Sequence, residues 1–141
     1  ETHLIPRALE AASNPKKTLN IYGNNHKTPD GYCIRDYIHV YDLADIHIKC
    51  LEKFSKIKKS LYLNCSYGKG YSVLDIAKSF QKISKEKIKI KFKDKRIGDM
   101  KQIVASNKKL ISFIKWRPKF NNIDKVVTST FIWNRYLKKN L

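Results

Sequence analysis

The sequence predicts an α/β fold. Apolar residues recur at helical spacing in several separate stretches, short alternating runs fall between them, and glycine or proline turn signals mark many of the junctions. Ile5, Ala8, Leu9 and Ala12 form one helical stripe with Pro6 in its first turn, and Ser13-Asn14-Pro15 ends it. Leu19-Asn20-Ile21-Tyr22 alternates as a strand and closes at Gly23-Asn24-Asn25. Pro29-Asp30-Gly31 then suits a tight turn, and a short strand follows with Ile34, Tyr37 and Ile38 for burial. Asp42 is expected to cap a helix that turns Leu43, Ile46 and Leu51 inward and runs to about Phe54. Ser55 to Ser60 reads as a basic surface loop.

In the second half, Leu61 to Cys65 reads as a buried strand and Gly68-Lys69-Gly70 as a turn. Ser72-x-x-Asp75 is a capping box in its aspartate form, ahead of a helix with Val73, Ile76, Phe80 and Ile83 on one face. Ile88, Ile90 and Phe92 alternate with lysines, as in a strand with one wet face. Arg96 to Met100 is a loop, Ser106 is expected to cap a short helix to about Ile114, and Trp116-Arg117-Pro118 breaks it. A last helix from about Ile123 to Leu137 is expected to bury Ile123, Val127, Phe131 and Trp133.

A length of 141 residues allows one modest domain with its own core. Met100 is the sole methionine, so Glu1 reads as no initiator and the chain as a fragment or processed product. The net charge of +18 raises nucleic acid as a partner. However, 25 of the 30 basic residues are lysine, Ile (17) and Asn (10) are also abundant, and the lysines are spread along the chain. Those three residue types share AT-rich codons, so the charge reads as compositional bias, and no specific nucleic-acid partner is expected. No run of about 18 apolar residues and no signal-peptide pattern is present, so no membrane association is expected. Cys33, Cys50 and Cys65 lie far apart without a Cys-x-x-Cys, which fits reduced thiols in a cytoplasmic protein rather than a disulfide framework.

Arg35-Asp36-Tyr37 sets a forked cation beside a carboxylate and a phenol. That suits an anionic small molecule, because guanidinium pairs with phosphate through two bonds, and it equally suits a structural ion pair on a strand edge. Gly68-x-Gly70 lacks the third glycine of a dinucleotide fingerprint, since Val73 occupies that position, and reads as a tight turn. His39 and His47 read as structural, and no cluster has metal-ligand spacing.

The run Gly31-Tyr32-Cys33-Ile34-Arg35-Asp36-Tyr37-Ile38-His39-Val40-x-Asp42-Leu43-Ala44, with Thr2-His3-Leu4-Ile5-Pro6 near the start, resembles the UDP-glucose 4-epimerases of the extended short-chain dehydrogenase/reductase superfamily. The resemblance covers essentially the whole chain, but only the C-terminal, substrate-binding part of such a Rossmann-type enzyme. It implies that residues 1–141 form a UDP-sugar-binding region and that the NAD-binding domain lies outside this chain. It implies further that His3 (often Asn in the family) and Leu4 approach the diphosphate and uracil, that Asn20, Ile21 and Tyr22 line uracil and ribose, that Arg35 and Arg96 bind the diphosphate, and that Asp99 binds the ribose. Ile103, four residues after Asp99, would sit beside the sugar's C2 substituent or pack in the core.

In the resembled enzymes bound NAD takes a hydride from C4 of the sugar, the 4-keto intermediate turns over, and the hydride returns to the other face. A Tyr-x-x-x-Lys pair supplies the base there. None of the eight tyrosines here has a lysine four residues later, and the Gly-x-x-Gly-x-x-Gly cofactor loop is absent. The expectation is therefore no catalytic, cofactor-binding or metal-binding residue in this chain, and no epimerase activity from it alone. NAD would be held mainly by the missing domain, and the complete enzyme would be a cytoplasmic homodimer. A UDP-glucuronate epimerase or nucleotide-sugar dehydratase on the same fold, or a non-catalytic basic binding module, are the alternatives. The Asp30-Gly31-x-x-Ile34-Arg35-Asp36-Tyr37 run favours the 4-epimerase.

Overall fold

A computed structural model describes residues 3–140; Glu1, Thr2 and Leu141 lie outside the described residues. The chain packs around two separate apolar clusters, and the local chemistry of the sequence explains most of the first. Helix α1 (Leu4–Ser13) turns Ala8 and Ala11 inward, and strand β1 (Thr18–Tyr22) buries Leu19 and Ile21 on one side of its pleat. Helix α3 (Val73–Ser84) starts on a complete capping box. Ser72 Oγ accepts from the Asp75 N–H at 3.0 Å, and the Asp75 carboxylate accepts from the Ser72 N–H at 3.0 Å. Strand β4 (Lys89–Lys93) pairs parallel with β1, Leu19 opposite Ile90 and Ile21 opposite Phe92. Helix α5 (Ile123–Asn140) adds Val127 to the core, and Phe131 tilts against Phe80 with ring centroids 5.6 Å apart. Asp124 clasps α3 to α5, accepting from Ser79 Oγ and Lys82 Nζ, each at 2.6 Å.

A second sheet has strand β2 (Ile34–Asp36) at its centre, antiparallel to β3 (Gly70–Ser72) and parallel to β5 (Gln102–Ile103). Beside it, α2 (Val40–Glu52) and α4 (Lys108–Ile114) bury Ile46, Leu110 and Ile114 with Trp116. The expected tight turn forms, with the Gly31 N–H donating to the Thr28 carbonyl.

Several sequence expectations are corrected. Asp42 does not cap α2; His39 does, its Nδ1 accepting from the Tyr41 N–H at 3.0 Å. Asp42 lies three residues further on and is fully buried. It accepts from the Tyr67 hydroxyl at 2.6 Å and from the backbone N–H groups of Lys119 and Phe120. A short acid close to a helix start satisfied the local capping rule, but distant donors claimed it. Similarly, Asn107 rather than Ser106 precedes α4, without a side-chain cap bond.

Leu51 and Trp133, expected inward, are 70% and 60% exposed, and Phe92 is half-exposed against Tyr32. Leu61 to Cys65 forms no strand, and Tyr62 is 86% exposed. The expected loop after α2 begins with a 3-10 turn, Phe54–Lys56. Strand β5 had no sequence counterpart: two residues carry too little pattern to stand out.

Candidate functional site

The first cluster and the second sheet meet at an open cavity of about 520 Å³. Strand β1 sets one wall. Leu19, Asn20 and Tyr22 line the cavity, while Ile21, 1% exposed, belongs to the core and does not. The opposite wall comes from β2, where neighbouring charges diverge. The Asp36 carboxylate accepts from the Ala105 N–H at 3.0 Å and so ties down the chain after β5. Arg35 points into the cavity instead. Its Nη1 donates to the Ile34 carbonyl at 2.8 Å, and its Nη2 lies 4.0 Å from Asp99 Oδ1.

Arg96 and Asp99 reach the same space because a turn joins them. The Asp99 N–H donates to the Arg96 carbonyl, and Gly98 takes φ +84°, a left-handed conformation that an L side chain rarely adopts. The Arg96 guanidinium rests over the Tyr22 ring, 3.7 Å from its centroid. Tyr37 also lines the cavity. Burial pushes its phenol up to about 12, against the pull of Arg35, so at neutral pH it is an uncharged donor.

Of the residues expected at a ligand, Leu4, Asn20, Tyr22, Arg35, Arg96 and Asp99 therefore share one cavity. His3, Ile21 and Ile103 do not line it. His3 immediately precedes α1, its carbonyl accepting from the Arg7 N–H, and Ile103 lies opposite Arg35 in the β2–β5 register, about half-exposed. Half-exposed, Ile103 does not pack in the core of this chain. Sequence reasoning missed Arg7, Leu19, Cys33 and Val73 as lining residues, and noted Tyr37 only as the phenol beside Arg35. Arg7 stands one helical turn after Leu4, so helical spacing alone could have placed both on one face. The Cys33 thiol lies 3.1 Å from His26 Nε2, both side chains buried.

The cavity suits an anion with hydroxyl and aromatic neighbours. The profile of the NAD dependent epimerase/dehydratase family matches residues 1–66. The sequence is 39% identical over 140 residues to the UDP-glucose 4-epimerase of Azospirillum brasilense, covering 99% of this chain and 40% of that one. The fold superposes on a crystal structure of a UDP-glucose 4-epimerase with a TM-score of 0.90 at 32% identity, over 96% of this chain and 41% of the other. For the UDP-glucose 4-epimerase of Bifidobacterium longum in complex with NAD+ and UDP, the TM-score is 0.86 at 31% identity, over 96% and 40% of the two chains.

The sequence and fold resemble those of the UDP-glucose 4-epimerases, and the profile of the NAD dependent epimerase/dehydratase family matches just under half of the chain. The chain spans about 40% of the length of the relatives it matches. The Gly68-x-Gly70 turn and the start of α3 do not fit the pyrophosphate of NAD. The glycine turn nearest to a dinucleotide loop serves packing: a Cβ on Gly70 would stand 2.5 Å from the Ile34 side chain and 2.6 Å from that of Val104. The helix start beyond it is occupied by carboxylates, Asp75 in the capping box and Asp30 accepting from Ser72 Oγ, and these repel a pyrophosphate. Among the described residues no cluster of three metal-ligating side chains occurs, and no helix is long and apolar enough to cross a membrane. His47, exposed on α2, donates from Nδ1 to the Leu43 carbonyl at 2.7 Å.

Proposed function

We propose that this chain is the UDP-holding part of a UDP-glucose 4-epimerase, the whole of residues 1–141 forming one nucleotide-sugar-binding region of a longer protein. One observation carries the reading: Arg35 and Arg96, some sixty residues apart, converge on one cavity together with Asp99 and Tyr22. Two guanidiniums neutralise a diphosphate through charge-assisted bonds, the Asp99 carboxylate accepts from ribose hydroxyls, and Asn20 and Tyr22 meet the base side. The chain's work is positional. It grips the UDP handle while the sugar reacts at a distance, so binding energy remote from the reacting carbon orients it. Hydride chemistry and NAD belong to the part of the longer protein outside this chain, and residues 1–141 alone turn over no UDP-galactose. The same reading makes the longer protein a cytoplasmic homodimer.

The test is calorimetric titration of UDP into the longer protein. Arg35→Ala and Arg96→Ala each weaken binding by about 1.5–3 kcal/mol, the value of a hydrogen bond to a charged partner, while NAD content stays at the wild-type level. Wild-type UDP affinity in both variants overturns the reading.

A further inference from the structure

The same cavity holds a third guanidinium that no motif assigns. Arg7 lines it from α1, together with Arg35 and Arg96. The chain has 25 lysines and 5 arginines, yet its cavity draws three arginines and no lysine. Compositional bias toward lysine produces the opposite outcome, so the geometry of the forked cation is what the cavity selects. With Asp99 as the lining acid, the three arginines leave two positive charges in excess, the complement of a diphosphate diester's two negative charges.

Among the described residues, Arg7 is poorly committed elsewhere: it meets Glu10 with Nη1 at 4.0 Å from the carboxylate, on an exposed helix face. Lys17 holds that carboxylate more closely, at 3.0 Å, and Lys17, ahead of Arg7, draws the Glu10 carboxyl below its ordinary range. Leu4 and Arg7 are separated by three residues of α1, so the face that brings Leu4 to the cavity brings Arg7 as well.

We infer that Arg7 is a third phosphate-binding residue of this cavity, swinging from its loose contact with Glu10 onto the diphosphate when a nucleoside diphosphate enters. The inference rests on the cavity being the UDP site. Its test is titration of UDP and of uridine into the longer protein carrying Arg7→Gln, Arg7→Lys, Glu10→Gln or Arg35→Ala. Arg7→Gln weakens UDP about tenfold and leaves uridine within about twofold, and Arg7→Lys recovers part of the loss by keeping the charge without the fork. Glu10→Gln leaves UDP affinity unchanged or tighter, since it frees Arg7. Equal weakening by Glu10→Gln and Arg7→Gln assigns Arg7 a helix-stabilising role and overturns the inference. Wild-type UDP affinity in Arg7→Gln, with Arg35→Ala weakened, overturns it alone. Wild-type affinity in Arg35→Ala removes the site itself.

Discussion

The two apolar clusters differ in how fully they are enclosed. The first, between α1, the β1–β4 pair, α3 and α5, is closed on the side of Phe80, Ile76 and Val127, each essentially without exposure, and it carries one wall of the cavity. The second closes around Ile46, Leu110, Ile114 and Trp116 but leaves Ile48, Leu51, Phe54 and Tyr62 of the same region in solvent. The first core is held by interactions between neighbouring elements. The second depends on one buried acid, Asp42, which gathers the Tyr67 hydroxyl and two backbone N–H groups from the segment after α4. A buried polar hub is costly to disturb because each donor it releases loses a partner it cannot replace with water. The burial around Tyr67 and its bond to Asp42 also raise the phenol's pKa, so the hydroxyl keeps its proton, and stays a donor, into the alkaline range.

The largest effect should come from breaking that hub. Asp42→Ala orphans three part-buried donors around a fully buried acceptor and is expected to cost about 3–5 kcal/mol. Amide exchange would report it: protection in α2 and α4 collapses while α3 and β1 keep theirs. Equal loss in both regions would mean that the clusters unfold as one unit.

Acid should separate the two regions more gently, and in two steps. His39 sits on the seam, capping α2 through Nδ1 while Nε2 donates to Ser129 Oγ on α5 at 2.8 Å, its ring stacked on Phe120. Burial lowers its pKa from 6.5, against the pull of Asp42. A base whose folded pKa is depressed binds fewer protons folded than unfolded, so its contribution is whole above 6.5 and is lost as pH falls through the folded value. Asp124 is also depressed, by its bonds to Lys82 and Ser79, so the clasp between α3 and α5 persists until pH drops below 3.8. Between those limits α2 frays at its first turn before α3 and α5 part. His39→Gln should remove the upper step and leave the lower one, as followed by NMR of the α2 amides. An unchanged upper step in His39→Gln would move the sensor elsewhere.

The smallest expected effect lies beyond the cavity, at Ile103. In the longer protein Ile103→Tyr should lower kcat/KM for UDP-GalNAc relative to UDP-galactose, and Ile103→Ser should raise it. The shift should stay within about 10–200-fold, because an apolar wall discriminates by volume alone. A ratio that moves less than a few-fold in both variants would leave Ile103 as a β5 residue whose place is beside Arg35.

How much was legible follows the same division. The first cluster was readable because its signals are local: the α1 stripe, the β1 alternation and the Ser72–Asp75 box each specify their element within a few residues. The second was misread where the deciding partner is distant. Asp42 looked like a cap until donors some 77 residues away are seen to claim it. Leu61 to Cys65 and Trp133 have the apolar character of buried segments, but among the described residues Tyr62 and Trp133 stay largely exposed, Trp133 stacked only on Tyr136. In the cavity, Arg35, Arg96 and Asp99 could be named from their motifs. Arg7 belongs to none and emerged only when α1 was set against β1. Ile21 and Ile103 were assigned to the ligand by resemblance; Ile21 is buried in the first core, and Ile103 stands half-exposed opposite Arg35, just outside the cavity lining.

One feature of the first sheet bears on solution behaviour. The β1–β4 pair has no third strand among the described residues, which leaves β4 with an open rim of hydrogen-bonding groups, a template on which another extended chain could add. Along that rim Lys89, Lys91 and Lys93 are all exposed. A second copy approaching edge to edge would bring like charges together, so the lysines act as gatekeepers against fibrous stacking. A charge excess that reads as codon bias over the whole chain thus protects, at this one strand, against self-templating.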